Sequence, residues 1–498
     1  MKYKFLNIKS FKINKKETDS HQISINIINQ INNFVHQKIF IDLINEFSEI
    51  QNIPTDAVIK KSKQIINAHF NYQKNKFNDG FKFYKIFKDF ILYLLIIIWG
   101  SIFSKKTKLK KISALIIDDI GDEMSFLRHE KLMKLFPSCT VITNNYKSEF
   151  KHNKIEIFNY SNFFIFSSMC FYKNKIKNIK FLIKLFIISS KYNFNFLFIF
   201  KIILFSSCKY KTLFGKYQSK YLIHDRFYRT CPIRNYYFKK MGGALLGCTQ
   251  KNMCETTISH FVYIDILFSL GDESFTKKRL LELGGDIKIS YPVGSLFLEH
   301  KWFSEEKDLD QVQESDIIIL GLNPNTWLYV NDLNHLNYER TILDWIKKIS
   351  IEFPKYTILI KHHSNLGNNE HEKSFLRGSS VQTQIATKSK NASYGYLYKS
   401  KIAFSFGSTM VLEGISMDKQ CFFLDPEHQN TCFFKGLTNL EKIRIKSYED
   451  FKKIAIETIE SKKIHNFAKD SLCLKSDKVS NRIFEYLTNI KDITKSIY

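Results

Sequence analysis

Short apolar runs alternate with polar, glycine-containing turns from about residue 111 to residue 426. The first run, Ile112–Ile117, is followed by a polar turn that contains Asp119, and a later run, Tyr221–Ile223, is followed directly by His224. A short apolar run, a polar turn and then a helical pattern are typical of a strand–turn–helix unit. A series of such units predicts an α/β fold built on parallel sheets.

The α/β pattern falls into two halves. Residues 111–300 form the first half and residues 316–440 the second, and the charged stretch at 300–315 between them has the composition of a linker. Residues 1–110 read as helices, and residues 441–498 read as helices that cross back to the first half. The pattern therefore predicts a helical N-terminal region, two α/β domains and C-terminal helices.

Two apolar stretches lie outside this strand pattern. Phe90–Phe103 is an apolar run of 14 residues between lysine clusters, whereas a membrane span needs about 20. In residues 172–206, lysine alternates with phenylalanine, isoleucine and leucine, as in a surface that touches anionic headgroups or in two ordinary helices. The first 20 residues lack an apolar signal core. We therefore expect a cytoplasmic protein, peripheral at the inner face of the cytoplasmic membrane.

The composition makes the chain strongly basic. The 498 residues include 75 Lys+Arg against 48 Asp+Glu, a net charge of +27. This balance favours anionic partners, although an AT-rich coding bias would give the same composition. The basic residues are spread along the chain without a nucleic-acid-binding motif, so no nucleic-acid partner is predicted. The 9 cysteines include no CxxC pair, which favours reduced thiols over disulfides or a zinc site.

The segment FGSTMVLEGISMDKQCFFLDP, residues 406–426, carries the best candidate chemistry. It predicts a strand end, a glycine turn and a helix capped by Ser408 or Thr409. Such a helix start suits phosphate, and Glu413, four residues after Thr409, lies where a carboxylate can accept hydrogen bonds from ribose hydroxyls. A plain capping arrangement is the alternative interpretation.

A second candidate follows the predicted strand at 356–360. It consists of Lys361, His362 and His363, which would lie at the carboxyl edge of the sheet, where ligands bind in open α/β folds. Lysine and histidine there can neutralise a diphosphate and assist a phosphate leaving group. No third ligand stands at helical spacing, so no metal site is predicted. Ser393 would cap a short helix facing the same crevice.

These motifs together resemble a known family. The order KHH, SYxYLxKS, SFGSTxxLEG and FFLDP is similar to the donor domain of bacterial surface-carbohydrate glycosyltransferases of the capsule or lipopolysaccharide type. The earlier HDRFY, GGALLGCTQKN and FSLGDE segments resemble the end of the acceptor domain, and the resemblance covers about residues 217–440. It implies a GT-B fold, in which two Rossmann-like domains face each other across a cleft.

The resemblance also implies roles for single residues. In similar proteins the KHH position reads Lys-x-His-Pro or His-Pro, and its histidine contacts the donor phosphate; His362 or His363 would do so here, with Ser364 in place of the proline. Further donor contacts carry over to Ser408, Thr409, Glu413 and Asn323. The nucleotide-sugar is the substrate, and no cofactor is implied.

The base that deprotonates the acceptor hydroxyl would come from the first half. Asp225, with His224 beside it, is the first candidate, and Asp119 is the second. The second glutamate of the retaining GT-B pattern is absent, because Cys421 stands at the matching position. An inverting, metal-independent reaction is therefore expected.

The sequence thus predicts a glycosyltransferase that moves a sugar from a nucleotide-sugar to a surface polysaccharide or lipid-linked acceptor. A polyol-phosphate transferase of the teichoic-acid kind would share the fold, but its His-Pro and Ser-Ser patterns are absent. A sugar-nucleotide epimerase would not need the basic, aromatic first half. A non-catalytic nucleotide-binding protein of the same fold is the remaining alternative.

Overall fold

The fold is built around two parallel β-sheets. The computed structural model describes residues 20–72, 83–102, 109–118, 123–143, 155–159, 174–192, 194–226, 230–249, 260–272, 277–302, 312–320, 332–362, 370–384, 392–405, 408–426 and 438–489. Every strand pair recorded in these residues is parallel.

The first sheet has seven strands in the order β3-β2-β1-β4-β5-β6-β7. Their bounds are β1 (Lys110–Asp118), β2 (Cys139–Thr143), β3 (Ile155–Asn159), β4 (Tyr217–His224), β5 (Leu245–Thr249), β6 (Tyr263–Ser269) and β7 (Asp286–Pro292). The order reverses between β1 and β4, and such a switch point leaves a crevice at the carboxyl edge of a sheet.

Helices cover both faces of the first sheet. The helices of this part of the chain are α1 (Ser20–Val35), α2 (Lys38–Gln51), α3 (Thr55–Tyr72), α4 (Phe83–Ile102), α5 (Glu123–Leu135), α6 (Lys175–Tyr192), α7 (Phe196–Lys216), α8 (Pro232–Lys240), α9 (Lys277–Glu282) and α10 (Leu296–Trp302). Leu115 and Ile117 of β1 share one apolar core with α1–α4, α6 and α7, whereas Ala114 and Ile116 point into a second core with α5. This alternation follows from the two-residue period of a strand.

The second sheet has six strands in the order β10-β9-β8-β11-β12-β13. Their bounds are β8 (Ser315–Leu320), β9 (Ile358–Lys361), β10 (Gln382–Gln384), β11 (Ser400–Ser405), β12 (Gln420–Leu424) and β13 (Arg444–Ile445). The order again reverses at the centre, here between β8 and β11.

The remaining helices surround the second sheet, with one exception. They are α11 (Asp332–Glu352), α12 (Glu370–Phe375), α13 (Ala392–Lys399), α14 (Met410–Ser416), α15 (Thr438–Lys442), α16 (Tyr448–Ile459), α17 (Lys469–Leu472) and α18 (Val479–Asn489). The exception is α18, whose Ile483 and Leu487 complete the core under α5, while Phe484 makes an edge-to-face contact with Phe136, 5.1 Å between ring centroids.

The carboxyl edges of the two sheets meet. Ser295, in the loop after β7, donates to Glu413 of α14, which follows β11. Leu474 and Ser476, which follow α17, also contact the loops after β6 and β7. Two Rossmann-ordered sheets that face each other in this way confirm the predicted α/β, GT-B-like fold. The domain boundaries drawn from the sequence stay predictions; β1 starts at Lys110 and β8 at Ser315.

The apolar stretch predicted at Phe90–Phe103 lies largely in α4, where Tyr93 and Ile97 are buried against the first domain. None of the helices in the described ranges combines the length and the apolarity that crossing a bilayer requires.

His260 makes the first domain sensitive to acid. Its Nδ1 lies 3.3 Å from Asn67 Oδ1, and burial lowers the pKa of its imidazole to about 3. An unfolded histidine titrates near pH 6.5, so the unfolded chain binds a proton that the folded chain excludes, and stability falls as the pH drops below 6.5. We expect this residue to cost about 2 kcal/mol of unfolding free energy between pH 7 and pH 5. In urea denaturation, the unfolding free energy of His260→Gln should fall by about 2 kcal/mol less than that of the wild type between pH 7 and pH 5.

His36→Gln, at an exposed histidine, is the matched control and should follow the wild-type pH dependence. An unchanged pH slope in His260→Gln would mean that the imidazole takes up its proton within the folded protein.

Candidate functional site

The second sheet brings Lys361 and Ser405 to one row at its carboxyl edge. Lys361 pairs with Leu320 across β9 and β8, and Leu320 pairs with Ser405 across β8 and β11. The two backbones are therefore two strands apart, or roughly 10 Å. Both flank the switch point of the sheet, where a ligand crevice is expected.

Lys361 is a buried cation. Its side chain is 2% exposed, and its Nζ has no hydrogen-bond partner within the described residues. It lies 5.7 Å from the centroid of the Tyr396 ring, and burial lowers the pKa of its ammonium to about 8. A charge in this position is costly unless a ligand compensates it.

The turn between β11 and α14 is organised by two serine hydroxyls. Ser405 Oγ donates to Leu320 O at 2.7 Å and accepts from Ser408 N at 3.0 Å. Ser408 Oγ accepts from Met410 N at 3.3 Å, whereas Thr409, the cap residue of α14, makes no side-chain cap bond. Ser408 is therefore the one of the two predicted caps whose hydroxyl meets the start of the helix.

Glu413 lies at the interface between the two domains. Its carboxylate is buried and accepts hydrogen bonds from Ser295 Oγ at 2.5 Å and from Tyr394 OH at 2.6 Å. Ser295 belongs to the first domain and Tyr394 to α13 of the second. Burial raises the pKa of Glu413, although both hydrogen bonds and the nearby Arg128 favour the ionised form. The predicted contact with ribose stays a prediction, and it would share these oxygens with Ser295 and Tyr394.

Gly294 positions Ser295. Its φ of +94° is accessible to glycine and strained for other residues, and a Cβ built there would lie 2.8 Å from Leu474 O. The turn after β7 can therefore approach the segment around Leu474 closely enough for Ser295 to reach Glu413.

His362 is turned towards α12. Its Nε2 lies 2.8 Å from Glu372 Oε1, and both side chains are buried. This pairing orients the imidazole, and its predicted contact with a donor phosphate stays a prediction. No cluster of three or more metal-ligating side chains occurs within the described ranges.

Asp225 sits in a cluster of basic side chains at the carboxyl end of β4. Its side chain is 2% exposed and lies 3.5 Å from Arg128 Nη1, 3.4 Å from Arg226 Nε and 3.8 Å from His129 Nε2. His224, beside it, contacts the backbone of Arg226 through Nδ1 at 2.7 Å. Asp225 and His224 therefore both contact Arg226.

Arg128 connects this cluster to the second domain. Its guanidinium carbon lies 5.0 Å from the centroid of the Phe297 ring, and that ring lies 5.3 Å from the ring of Tyr394. Tyr394 in turn donates to Glu413. A continuous series of contacts thus runs from Asp225 through Arg128 and across the domain boundary to the predicted donor residue.

Four predicted site residues have no described side chain. Asp119, Asn323 and His363 lie outside the described residues, and Ser393 lies in α13 without a described side chain. Three contributors escaped the sequence analysis: Arg128 inside α5, Ser295 after a strand end and Tyr394 within the SYxYLxKS motif. The local signals were the Pro-Val-Gly-Ser turn that ends in Ser295 and the SYxYLxKS motif that contains Tyr394.

No protein-family model and no curated protein matches the chain. Solved structures with a similar outline include UDP-GlcNAc 2-epimerase from Neisseria meningitidis bound to UDP-GlcNAc, at 12% identity over 76% of this chain and 100% of that chain, TM-score 0.46. A putative UDP-N-acetylglucosamine 2-epimerase from Listeria monocytogenes is 12% identical over 77% of this chain and 98% of that chain, with a TM-score of 0.46. The wall teichoic acid polymerase TagF is 11% identical over 83% of this chain and 97% of that chain, with a TM-score of 0.42. The GT-B-like fold is defined by the strand order of the chain's own two sheets.

The hydrogen bond between Ser295 and Glu413 should couple the two domains energetically. Ser295→Ala and Glu413→Gln should each lower the unfolding free energy by about 1–3 kcal/mol, because each leaves a buried polar atom without its partner. Together they should cost less than the sum of the single effects by at least about 0.5 kcal/mol. Urea denaturation of the four proteins in the cycle measures this coupling.

A control cycle pairs Glu413→Gln with Ser447→Ala, whose hydroxyl accepts from Asp450 N at the start of α16. These two changes should add within about 0.5 kcal/mol. Additivity in the Ser295 cycle as well would show that the domains do not share this bond in solution.

Proposed function

We propose that the cleft binds a nucleotide-sugar and that the protein is a metal-independent, inverting glycosyltransferase. Its acceptor would be a surface polysaccharide or a lipid-linked glycan, as in capsule or lipopolysaccharide synthesis. The observation that carries the proposal is the buried ammonium of Lys361 at the carboxyl edge of the second sheet.

Lys361 matches the chemistry of a diphosphate. A buried ammonium without a hydrogen-bond partner in the described residues destabilises the ligand-free protein, and an anion placed against it removes that cost. Ser408 lies at the start of α14, beside the same switch point, and the contacts predicted at His362, His363, Asn323, Ser393 and Thr409 belong to this proposal. The leaving group of glycosyl transfer is a nucleoside diphosphate, whose developing charge a fixed cation stabilises.

Arg128 supports the same assignment from the first domain. It is buried, lies between Asp225 and Phe297, and is close enough to Glu413 to favour the ionised carboxylate. It would add a second cation, from the first domain, to the proposed donor site. Binding between the domains would then use residues of both sheets.

Asp225 is the proposed general base. The acceptor hydroxyl must lose a proton as it attacks the anomeric carbon. Asp225 offers a carboxylate at the carboxyl end of β4, in the domain proposed to bind the acceptor. Arg128 and His129 hold its carboxylate in place. His224 belongs to the same cluster as a positioning residue, and Asp119 stays the second candidate base.

Peripheral association with the inner face of the cytoplasmic membrane belongs to this proposal, because lipid-linked acceptors are held there. The net charge of +27 supports it, since the surface of that leaflet is anionic.

Lys361→Met should raise the stability of the ligand-free protein and weaken nucleotide binding. Replacing a buried charge by an apolar side chain of similar length should raise the unfolding free energy of the ligand-free protein by about 1–3 kcal/mol at pH 7. Because the folded pKa of about 8 lies below the ordinary 10.5, this gain should shrink as the pH rises from 8 to 10.5. The same variant should lose the stabilisation that the cognate nucleotide gives the wild type, which is roughly 2.7 kcal/mol at 100 times the dissociation constant.

A thermal-shift panel of CMP, CDP, UDP, GDP and dTDP measures both effects and identifies the base of the donor. Lys401→Met is the matched control, because Lys401 is exposed at the amino end of β11 and pairs with Asp316. No nucleotide shift in the wild type, or an equal shift in Lys361→Met, contradicts the donor site.

Asp225→Asn should separate catalysis from donor binding. With the nucleotide-sugar chosen from the panel and a membrane lipid extract as acceptor, release of nucleoside diphosphate should fall by about 10²–10⁴-fold, because the proton acceptor is gone. The nucleotide-induced thermal shift should persist, which also shows that the variant is folded. Asp42→Asn, at an exposed aspartate of α2, should keep the wild-type rate. A wild-type rate in Asp225→Asn rules this residue out as the base.

A further inference from the structure

Large apolar side chains are exposed mainly on two helices that pack against each other. Of the 15 large hydrophobic residues found exposed in the described part of the chain, 8 lie on α4 and α6. They are Tyr84, Phe87, Ile91, Leu92, Leu95, Ile176, Ile183 and Ile187, and together they define the α4–α6 face. Clustered exposure of this kind marks an interaction surface, whereas single exposed hydrophobics are ordinary.

Each helix carries these residues as one stripe. On α4, Tyr84, Phe87, Ile91 and Leu95 are three or four residues apart, as on one side of a helix, and Leu92 lies next to Ile91. On α6 the stripe runs from Ile176 to Ile187. The opposite sides of both helices, which include Tyr93 and Phe181, are buried in the core of the first domain. The two helices are therefore apolar on the inner side and on part of the outer side.

The charge around the α4–α6 face is mainly positive. Six exposed lysines lie on the same two helices, namely Lys88, Lys175, Lys177, Lys180, Lys184 and Lys191. The only acidic residue of either helix is Asp89, which is buried and paired with Lys201 and Asn195. Lys184 and Lys177 contact Glu46 and Glu49 of α2 at the border of the face.

We propose that the α4–α6 face is the surface through which the protein lies on an anionic bilayer, and this inference rests on the peripheral membrane association proposed above. Apolar side chains flanked by lysines match the boundary between acyl chains and anionic headgroups, where lysines extend their ammonium groups to the phosphates. A second copy of the chain is disfavoured as the occupant, because two such faces would bring like charges together.

Vesicle flotation tests the surface. The wild type should float with vesicles of mixed phosphatidylglycerol and phosphatidylcholine at low salt, and binding should weaken in pure phosphatidylcholine and at high salt. Phe87→Glu combined with Ile187→Glu places one acidic residue on each stripe, at side chains that are 50% and 59% exposed. This double variant should lower the vesicle partition coefficient at least tenfold.

Ile351→Glu combined with Ile464→Glu is the matched control. These side chains are exposed on the second domain, at 60% and 73%, and their replacement should leave flotation unchanged. Thermal unfolding and the nucleotide-induced shift of each variant verify that the fold and the donor site are intact.

The outcomes separate the two proposals. A wild type that does not float overturns the membrane association and the surface together, while the nucleotide panel still decides the donor site. A wild type that floats and a Phe87→Glu/Ile187→Glu variant that floats equally overturn the surface alone. A change from dimer to monomer in the same variant, measured by light scattering without vesicles, would assign the face to a second copy and overturn the bilayer proposal.

Discussion

The buried carboxylate of Glu413 fixes how the two domains meet. A carboxylate removed from water needs donors at close range, and one of its two donors, Ser295, belongs to the other domain. Two glycines make room around this carboxylate. Gly294 lets the Ser295 turn approach the segment at Leu474, and a Cβ on Gly414 would lie 2.5 Å from Cys421 Sγ. The closeness of the two carboxyl edges follows from this one shared group.

The cleft contains buried charged side chains that lower the stability of the folded protein. Lys361, Arg128 and Asp225 are buried ionisable side chains in a chain whose two domains otherwise pack extensive apolar cores. Natural proteins keep such arrangements where a ligand or a reaction uses them, at the expense of stability elsewhere. Lys361 and Asp225 lie at the carboxyl ends of β9 and β4, and Arg128 contacts Asp225. This position at the carboxyl edges is the physical basis for treating the cleft as the site.

Local patterns were sufficient for the fold and for the positions of Lys361 and Asp225 at strand ends. The apolar runs near Ile116, Ile223 and Ile318 mark strands, and the polar residues after them lie at the carboxyl edges because parallel strands share a direction. Long-range partners had no such signal. Ser295 and Glu413 are 118 residues apart. Arg128 lies within an ordinary helical pattern, and the orientation of His362 is set by Glu372 on a helix that follows.

The return of α18 to the first domain has a consequence for synthesis. The core beneath α5 is completed by Ile483 and Leu487, so Leu132 and Met133 lack their covering helix until α18 has left the ribosome. The second sheet, which spans Ser315 to Ile445, emerges earlier and can fold while those side chains are still uncovered. During translation the first domain is therefore incomplete until α18 emerges, and a chaperone that recognises apolar helix faces would bind it in that interval.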